Sequence, residues 1–167
     1  MKIAVISDTH DQIWRLGEIL PDLGKADVLL HCGDLCSPFM VHALGKELDI
    51  PVHIVLGNND GDILALKNAA DSYENLHLYA RLASFDLAGL QVVMTHYPEI
   101  ARPVAATGEY DLVVYGHDHT AFHEKVGNSL LLNPGEFMGL FGTSSWAIFD
   151  TETGNISLMQ EDIPHTS

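Results

Sequence analysis

Short apolar runs alternate with helical patterns along the first two thirds of the chain. Five runs rich in valine, isoleucine and leucine have the length and continuous apolarity of strands buried on both faces: Ile3–Ile6, Val28–Leu30, Val52–Leu56, Val92–Met94 and Leu112–Tyr115. This alternation of strand and helix predicts a largely parallel sheet that is covered by helices.

Four stretches between these strands have the spacing of amphipathic helices. The first begins at Ile13 and is expected to stop at Pro21, because proline lacks the N–H that a helix needs. The second begins at Ser37-Pro38, where serine caps the helix and proline suits its first turn. The third begins near Asp62, and the fourth runs from Pro98 to about Thr107.

The second half of the chain is denser in strands. Turn signals at Ala88-Gly89, Gly127-Asn128 and 153–155 predict hairpins. The predicted strands are Leu76–Tyr79, Leu82–Leu87, Leu90–Thr95, Phe122–Val126, Ser129–Leu132, Trp146–Asp150 and Ile156–Gln160. Two mixed sheets packed face to face, with helices outside, accommodate both halves, and residues 1–167 are predicted to form one α/β domain.

Composition narrows the class of protein. The 167 residues are 47 % hydrophobic and 19 % charged, which excludes a disordered or fibrous chain. Two cysteines four positions apart cannot build a disulfide framework, which favours a reducing compartment. No apolar stretch has the length of a signal-peptide core or a membrane helix. We therefore expect a soluble, cytoplasmic protein.

The charge balance excludes some partners and suggests others. Eight lysines and arginines against 23 aspartates and glutamates give a net charge of −15 with histidine neutral. Such a chain repels nucleic acid and anionic membranes, which proteins bind through clustered lysine and arginine. An acidic protein can still act on phosphates when bound cations reverse the local field. Ten histidines are a first indication of metal. Homo-oligomerisation stays open.

Side chains of the types that can bind metal ions follow each of the five buried strands. In chain order they are Asp8 and His10, Asp34, the run Asn58-Asn59-Asp60, His96, and finally His117 and His119. Because ligands of open α/β sheets bind outside the carboxyl ends of the strands, five loops are expected to deliver these groups into one crevice.

Each of these residues has an ordinary structural explanation when taken alone. An aspartate after a strand is more often a helix cap, and a single histidine is more often packed in the core. Gly33, Gly57 and Gly116 also fit tight turns. Chance rarely places all of them at strand ends together, and the joint pattern favours a metal site.

The other histidines lack this placement and are interpreted as structural: His42, His53, His77, His123 and His165. His31 lies beside the Gly33-Asp34 turn and is expected to support the ligands rather than bind metal. Cys32 and Cys36, without a second pair, are weak evidence for zinc, and Cys32 is interpreted as a small buried residue.

The motifs match a known family in order and spacing over about the first 135 residues. They are Ser7-Asp8-Thr9-His10, Gly33-Asp34, Gly57-Asn58-Asn59-Asp60, Thr95-His96 and Gly116-His117-Asp118-His119. The series resembles the calcineurin-like metallophosphoesterases, and most of all the small YfcE-like phosphodiesterases, whose Asn-Pro-Gly turn is similar to Asn133-Pro134-Gly135.

The resemblance implies a four-layer α/β sandwich with two divalent ions, Mn²⁺ being favoured and Ni²⁺, Fe²⁺ or Zn²⁺ being alternatives. The first ligand set would be Asp8, His10, Asp34 and His119. The second ligand set would be Asp34, Asn58, His96 and His117, with Asp34 shared. A hydroxide that bridges the ions would then attack phosphorus, which requires no protein nucleophile.

Two positions depart from the family pattern. Asn59 stands where many members have a histidine that serves as leaving-group acid, and asparagine donates a hydrogen bond but no proton. Glu136 stands where a serine is common, and the usual arginine of that loop is missing. A carboxylate at this position is expected to repel terminal phosphate groups.

The sequence thus predicts a metal-dependent phosphodiesterase acting on a small phosphate ester, with Asp34 and Asn59 as catalytic residues. Three alternatives stay open at this point. A non-catalytic scaffold is one, since the retromer subunit of this fold is such a protein, although none of the seven predicted ligands is lost here. The others are a phosphomonoesterase and a nuclease, and the net charge of −15 weighs against the nuclease.

Overall fold

Two mixed β-sheets lie at the centre of the computed structural model, which describes residues 1–140 and 142–163. The strands are β1 Lys2–Ile6, β2 Val28–His31, β3 Val52–Ile54, β4 Leu76–Leu78, β5 Leu82–Leu87, β6 Leu90–Thr95, β7 Leu112–Val114, β8 Phe122–Val126, β9 Ser129–Asn133, β10 Thr143–Asp150 and β11 Ile156–Asp162. The helices are α1 Ile13–Leu23, α2 Pro38–Glu47, α3 Ile63–Ala70 and α4 Pro98–Thr107.

The first sheet has the strand order β11-β10-β1-β2-β3-β4, and the second has the order β5-β6-β7-β9-β8. Strands β1 to β4 are parallel neighbours, β10 pairs antiparallel with β1, and β11 pairs antiparallel with β10 at the edge. In the second sheet, β6, β7 and β9 are parallel, while β5 and β8 flank them as antiparallel hairpin partners. Both sheets are mixed, as the sequence predicts.

Three apolar clusters separate four layers. The largest lies between the outer face of the first sheet and helices α1 to α3. A second fills the space between the sheets, with Val5 and Leu30 on one side and Met94 and Val114 on the other. The third joins α4 to the outer face of the second sheet. The predicted four-layer sandwich is therefore the observed architecture.

The cap predicted at Ser37 and the helix start predicted near Asp62 are confirmed, and the predicted end of the first helix is wrong. Ser37 accepts a hydrogen bond from the backbone of Phe39, and Asp62 caps α3 in the same way through Ala65. Helix α1, however, continues through Pro21 to Leu23. A proline so near the carboxyl end removes a single hydrogen bond, and the last turn still closes through Gly24 N–H to Leu20.

Parallel pairing brings the carboxyl ends of β1, β2 and β3 to one edge of the first sheet. Backbone hydrogen bonds hold their loops together: Asp8 N–H donates to Gly33 and His10 N–H donates to Asp34, each over 3.0 Å. In the second sheet, Gly116 N–H donates to His96 over 3.2 Å. None of the helices within residues 1–140 and 142–163 has the length and apolarity to span a membrane.

Candidate metal centre

The first ligand set converges on the carboxylate of Asp8. Nε2 of His119 lies 3.2 Å from Asp8 Oδ1, and Nε2 of His10 lies 3.9 Å from the same oxygen. His10 Nε2 also lies 3.6 Å from Asp34 Oδ2. Four side chains from the loops after β1, β2 and β7 thus direct nitrogen and oxygen atoms to one place.

The second ligand set converges on Nε2 of His96. This nitrogen lies 3.0 Å from Asn58 Oδ1, 3.1 Å from His117 Nδ1 and 3.4 Å from Asp34 Oδ2. Asp34 Oδ2 therefore lies between His10 of the first set and His96 of the second. The family resemblance implies that this carboxylate is shared between two ions, and the two distances are consistent with that role.

Three of the histidines are oriented by contacts at Nδ1, the ring nitrogen that faces away from the crevice. Nδ1 of His96 donates to the backbone carbonyl of Cys32 over 2.9 Å. Nδ1 of His10 lies 3.3 Å from the Cys36 thiol, and Nδ1 of His119 lies 2.7 Å from Glu136 Oε2. Each contact leaves Nε2 directed into the crevice, which is the usual arrangement behind metal-binding histidines.

Several polar atoms of the crevice lack hydrogen-bond partners among the described residues and could instead bind a cation. Asp8 Oδ1 and His10 Nε2 are buried and make no hydrogen bond within the described residues. Nε2 of His96 lies 3.0 Å from Asn58 Oδ1 and 3.4 Å from Asp34 Oδ2, while the opposite ring nitrogen donates to a backbone carbonyl. A positive charge among these atoms would compensate their lone pairs, and mixed nitrogen and oxygen donors suit first-row divalent ions.

Backbone strain is concentrated at the same place. Eight residues other than glycine have positive φ in the described part of the chain, and five of them are predicted ligands: Asp8, His10, Asp34, His117 and His119. Asp11 and Cys36 flank these ligands, and Ala88 lies in a hairpin turn. Such conformations cost of order 1–3 kcal/mol each and cluster at functional sites.

Two glycines let the loops approach closely enough to form the crevice. A Cβ at Gly57 would overlap the carboxylate of Asp34. A Cβ at Gly116 would overlap Ser7 and the carboxylate of Asp8. Because a side chain at either position would overlap a carboxylate of the site, both positions require glycine. Each glycine directly precedes a predicted ligand.

Imidazole groups neutralise part of the acidic charge in the crevice. Burial opposes ionisation of Asp8, but the rings of His10 and His119 outweigh it and hold the pKa of Asp8 below its usual value. Contact with Asp8, aided by Glu136, raises the pKa of His119 to about 9 in spite of burial. The pKa of His10 is also raised, chiefly by Asp8. The carboxylates therefore attract positive charge, whether protons or a metal ion.

His31 supports the ligand loops, as the sequence predicts. It is fully buried, and burial lowers its pKa to about 3, so the ring is neutral. Its Nδ1 accepts from Gly33 N–H over 3.1 Å, which leaves Nε2–H to donate to Thr9 Oγ1 over 3.0 Å. This bridge connects the loop after β1 with the loop after β2.

Asn59 and Asp60 hold the shared carboxylate and its loop. The backbone N–H of Asn59 donates to Asp34 Oδ1 over 2.8 Å, and its side-chain Nδ2 donates to Asp34 Oδ2 over 2.7 Å. Asp60 accepts from the backbone N–H groups of Asp34, Cys36 and Gly57, over 3.0, 2.8 and 2.7 Å. The loops after β2 and β3 are thereby fixed to each other.

The histidines interpreted as structural lie outside both ligand sets. His42 pairs with Tyr73 and His53 with Tyr79, each through a phenol oxygen. His77 and His123 are exposed, and His165 lies outside the described residues. Cys32 is buried, and both cysteines are free thiols.

Glu136 and Asp60 have site contacts that sequence reasoning missed. Glu136 was expected to face terminal phosphate groups, but its side chain is buried and contacts His119. The sequence gives no signal for this orientation. Asp60 stands beside Asn58 and Asn59 in the chain, and that proximity could have indicated its supporting contacts.

Comparison with known proteins identifies relatives over nearly the whole chain. The family model of the calcineurin-like phosphoesterase superfamily domain matches residues 1–154. Phosphodiesterase MJ0936 of Methanocaldococcus jannaschii is 31 % identical over 157 residues, which are 91 % of this chain and 94 % of that protein.

Solved structures agree with this relationship. A structure described as that of a novel archaeal phosphodiesterase superposes with a TM-score of 0.86 at 32 % identity, covering 96 % of this chain and 100 % of the other. The phosphoesterase YfcE of E. coli superposes with a TM-score of 0.65 at 19 % identity, covering 98 % of this chain and 100 % of the other. At that lower identity the likeness concerns the fold alone.

Proposed function

The chain belongs to the calcineurin-like phosphoesterase superfamily, and from this premise we propose that it is a phosphodiesterase that hydrolyses a small phosphate ester with two divalent ions. The observation that carries the proposal is the position of Asp34. Its Oδ2 lies 3.6 Å from a histidine of the first ligand set and 3.4 Å from a histidine of the second.

The residues of the first ligand set would hold one ion and those of the second set the other, with Asp34 shared. Bound divalent ions supply charge stabilisation to phosphoryl oxygens and lower the pKa of water. Nitrogen and oxygen donors without a thiolate suit Mn²⁺, with Ni²⁺, Fe²⁺ and Zn²⁺ as alternatives. Cys36 lies behind His10 and does not join the ligands.

The chain's own groups fix the geometry of this chemistry. Asn59 donates two hydrogen bonds to the Asp34 carboxylate, and Asp60 anchors the backbone on both sides of it. Both oxygens of Asp34 are thus held in one orientation relative to the two sets. Preorganised polar groups of this kind are already in position when charge develops, so the reaction needs little reorganisation.

Asn59 also stands at the motif position where many members of the family have a histidine that serves as leaving-group acid. Its amide can donate a hydrogen bond to the departing oxygen, but it cannot transfer a proton. A positioned general acid contributes roughly 10²–10⁴-fold, and the contribution is largest for poor leaving groups. We therefore propose that the enzyme favours esters whose leaving groups depart without protonation.

The net charge supports a small substrate rather than nucleic acid. A nucleic-acid backbone is bound by clustered lysine and arginine, and the chain carries a net charge of −15.

Two free thiols support a reducing compartment such as the cytoplasm.

Turnover with and without chelator tests the proposal. Protein loaded with Mn²⁺ is expected to hydrolyse bis(p-nitrophenyl) phosphate faster than p-nitrophenyl phosphate, to lose this activity with EDTA, and to regain it with excess Mn²⁺. His96→Ala should lower this activity strongly, while His123→Ala, at an exposed histidine on β8, serves as the matched control. A protein that binds Mn²⁺ without chelator-sensitive turnover would instead be the non-catalytic scaffold.

A further inference from the structure

Glu136 is a buried carboxylate to which the chemistry above assigns no task. It follows the Asn133-Pro134-Gly135 turn after β9, and 3 % of its surface is exposed. Its Oε2 lies 2.7 Å from Nδ1 of His119. Behind the ring of His10 lies a neutral thiol, and behind the ring of His96 lies a backbone carbonyl. Among these three rings, the one at His119 is backed by a full negative charge.

Backbone hydrogen bonds join the segment around Glu136 to the loop after β1. Phe137 N–H donates to Ser7 over 2.9 Å, and Met138 N–H donates to Asp8 over 3.0 Å. Ser145 N–H donates to the carbonyl of Glu136 itself over 2.9 Å. The main chain at Glu136 is therefore fixed relative to the loop of Asp8, and the buried carboxylate lies against the ring of His119.

We propose that Glu136 is a positioning residue that acts through His119. Its carboxylate accepts the Nδ1–H of the ring over 2.7 Å, and this contact keeps Nε2 on the side of the crevice, 3.2 Å from Asp8 Oδ1, where it can bind an ion. A charge-assisted hydrogen bond is roughly twice as strong as a neutral one, and it raises the basicity of the ligand nitrogen. The first ligand set then binds its ion more tightly than the second. This inference rests on the proposed function, since it assumes that both sets bind metal.

Isothermal titration with Mn²⁺ tests the inference through binding rather than turnover. Glu136→Gln keeps the size and an acceptor oxygen but removes the charge. We expect it to weaken the first ion by about 10–100-fold, as is typical when a partner of a metal-bound histidine is replaced, and to leave the second ion within about twofold. Glu74→Gln removes the same charge at an exposed position beside the amino end of β4 and should change neither ion.

A double-mutant cycle separates action through His119 from a general effect on the fold. In a His119→Ala background, Glu136→Gln should cause no further loss of Mn²⁺ affinity, because the ring through which it acts is gone. If the two losses add in full, or if Glu136→Gln and Glu74→Gln have the same effect, the inference is wrong. If Glu136→Gln fails to fold, Glu136→Asp, which retracts the charge by one methylene, must weaken the first ion for the inference to stand.

Failure of this inference is distinguishable from failure of the proposed function. If the wild type binds no Mn²⁺ and shows no turnover, the proposed function fails. If the wild type binds two ions and hydrolyses the diester while Glu136→Gln binds Mn²⁺ normally, only the role of Glu136 is refuted.

Discussion

The two halves of the candidate centre differ in charge although they share a residue. The first ligand set contains the carboxylates of Asp8 and Asp34, with Glu136 behind His119. The second set contains Asp34 alone as a charged ligand, beside an amide and two imidazoles. Both lie at the carboxyl edge of the sheets, where Asp8, Asp34 and His96 are buried while Asn58 and His117 are exposed. The difference indicates a tightly held first ion and a more weakly held second ion.

The largest loss of activity is expected on replacement of Asp34, which both ligand sets share. Asp34→Asn disturbs both ligand sets, and we expect kcat/KM to fall by about a thousandfold or more, equivalent to several kcal/mol of lost charge stabilisation. His96→Ala and His119→Ala each disturb one set and should cost less. Rates with bis(p-nitrophenyl) phosphate at saturating Mn²⁺ measure this order. A milder loss at Asp34 than at either histidine would contradict the shared role.

Replacement of Asn59 tests whether the enzyme lacks an acid for the leaving group. Asn59→His introduces a group that can protonate the leaving oxygen, so hydrolysis of alkyl esters should rise by about 10²-fold while nitrophenyl esters gain little. The ratio of kcat/KM for a matched alkyl and aryl diester is the measurement. Asn59→Gln, which keeps a donor but supplies no proton, is the control. An equal change for both leaving groups would mean that position 59 only shapes the turn and the Asp34 contact.

Removal of metal is expected to destabilise the folded chain. The carboxylates of the first ligand set repel each other without a cation, within a chain of net charge −15. An ion present at a hundredfold excess over its Kd adds about 2.7 kcal/mol, which corresponds to roughly 5–10 °C in Tm for a chain of this size. Thermal melting with and without EDTA measures the shift, and Asp34→Asn should melt nearly alike in both. An unchanged wild-type midpoint argues against two bound ions.

The smallest effect is expected on Mn²⁺ affinity when a second carboxylate is added to the second ligand set. Asn58→Asp adds one carboxylate beside His96, and we expect the second ion to bind about tenfold more tightly, equivalent to one pKa unit of interaction free energy. Calorimetric titration with Mn²⁺ resolves the two steps. The first step should stay within about twofold. Tightening of the first step instead would show that the sets are assigned to the wrong ions.

The layers, and the gathering of the candidate ligand residues at one edge, were predictable from the sequence for one physical reason. Parallel strands carry their loops to a common edge, so polar residues after Ile6, His31 and Ile54 are neighbours in space although they are distant in the chain. The boundaries of β5 and α4 were also predicted, because a hairpin turn and a proline start mark them. These features depend on local pattern and strand order.

Other features depend on tertiary contacts that no local pattern encodes. The orientation of Glu136 follows from hydrogen bonds between its segment and the loop after β1. The contact of the Asn59 side chain with Asp34 depends on how two loops approach at Gly57. Pro21 stays inside α1 because the following turn has a packing partner in the core at Leu23. In each case a long-range contact overrides the local preference.

Titration of metal-free wild-type protein with Mn²⁺ in a calorimeter tests the central claim most directly. The account predicts two ions per chain that bind in two resolved steps, the first tighter than the second, with both steps impaired in Asp34→Asn. A single ion per chain, or two ions of equal affinity that persist in Asp34→Asn, would contradict it.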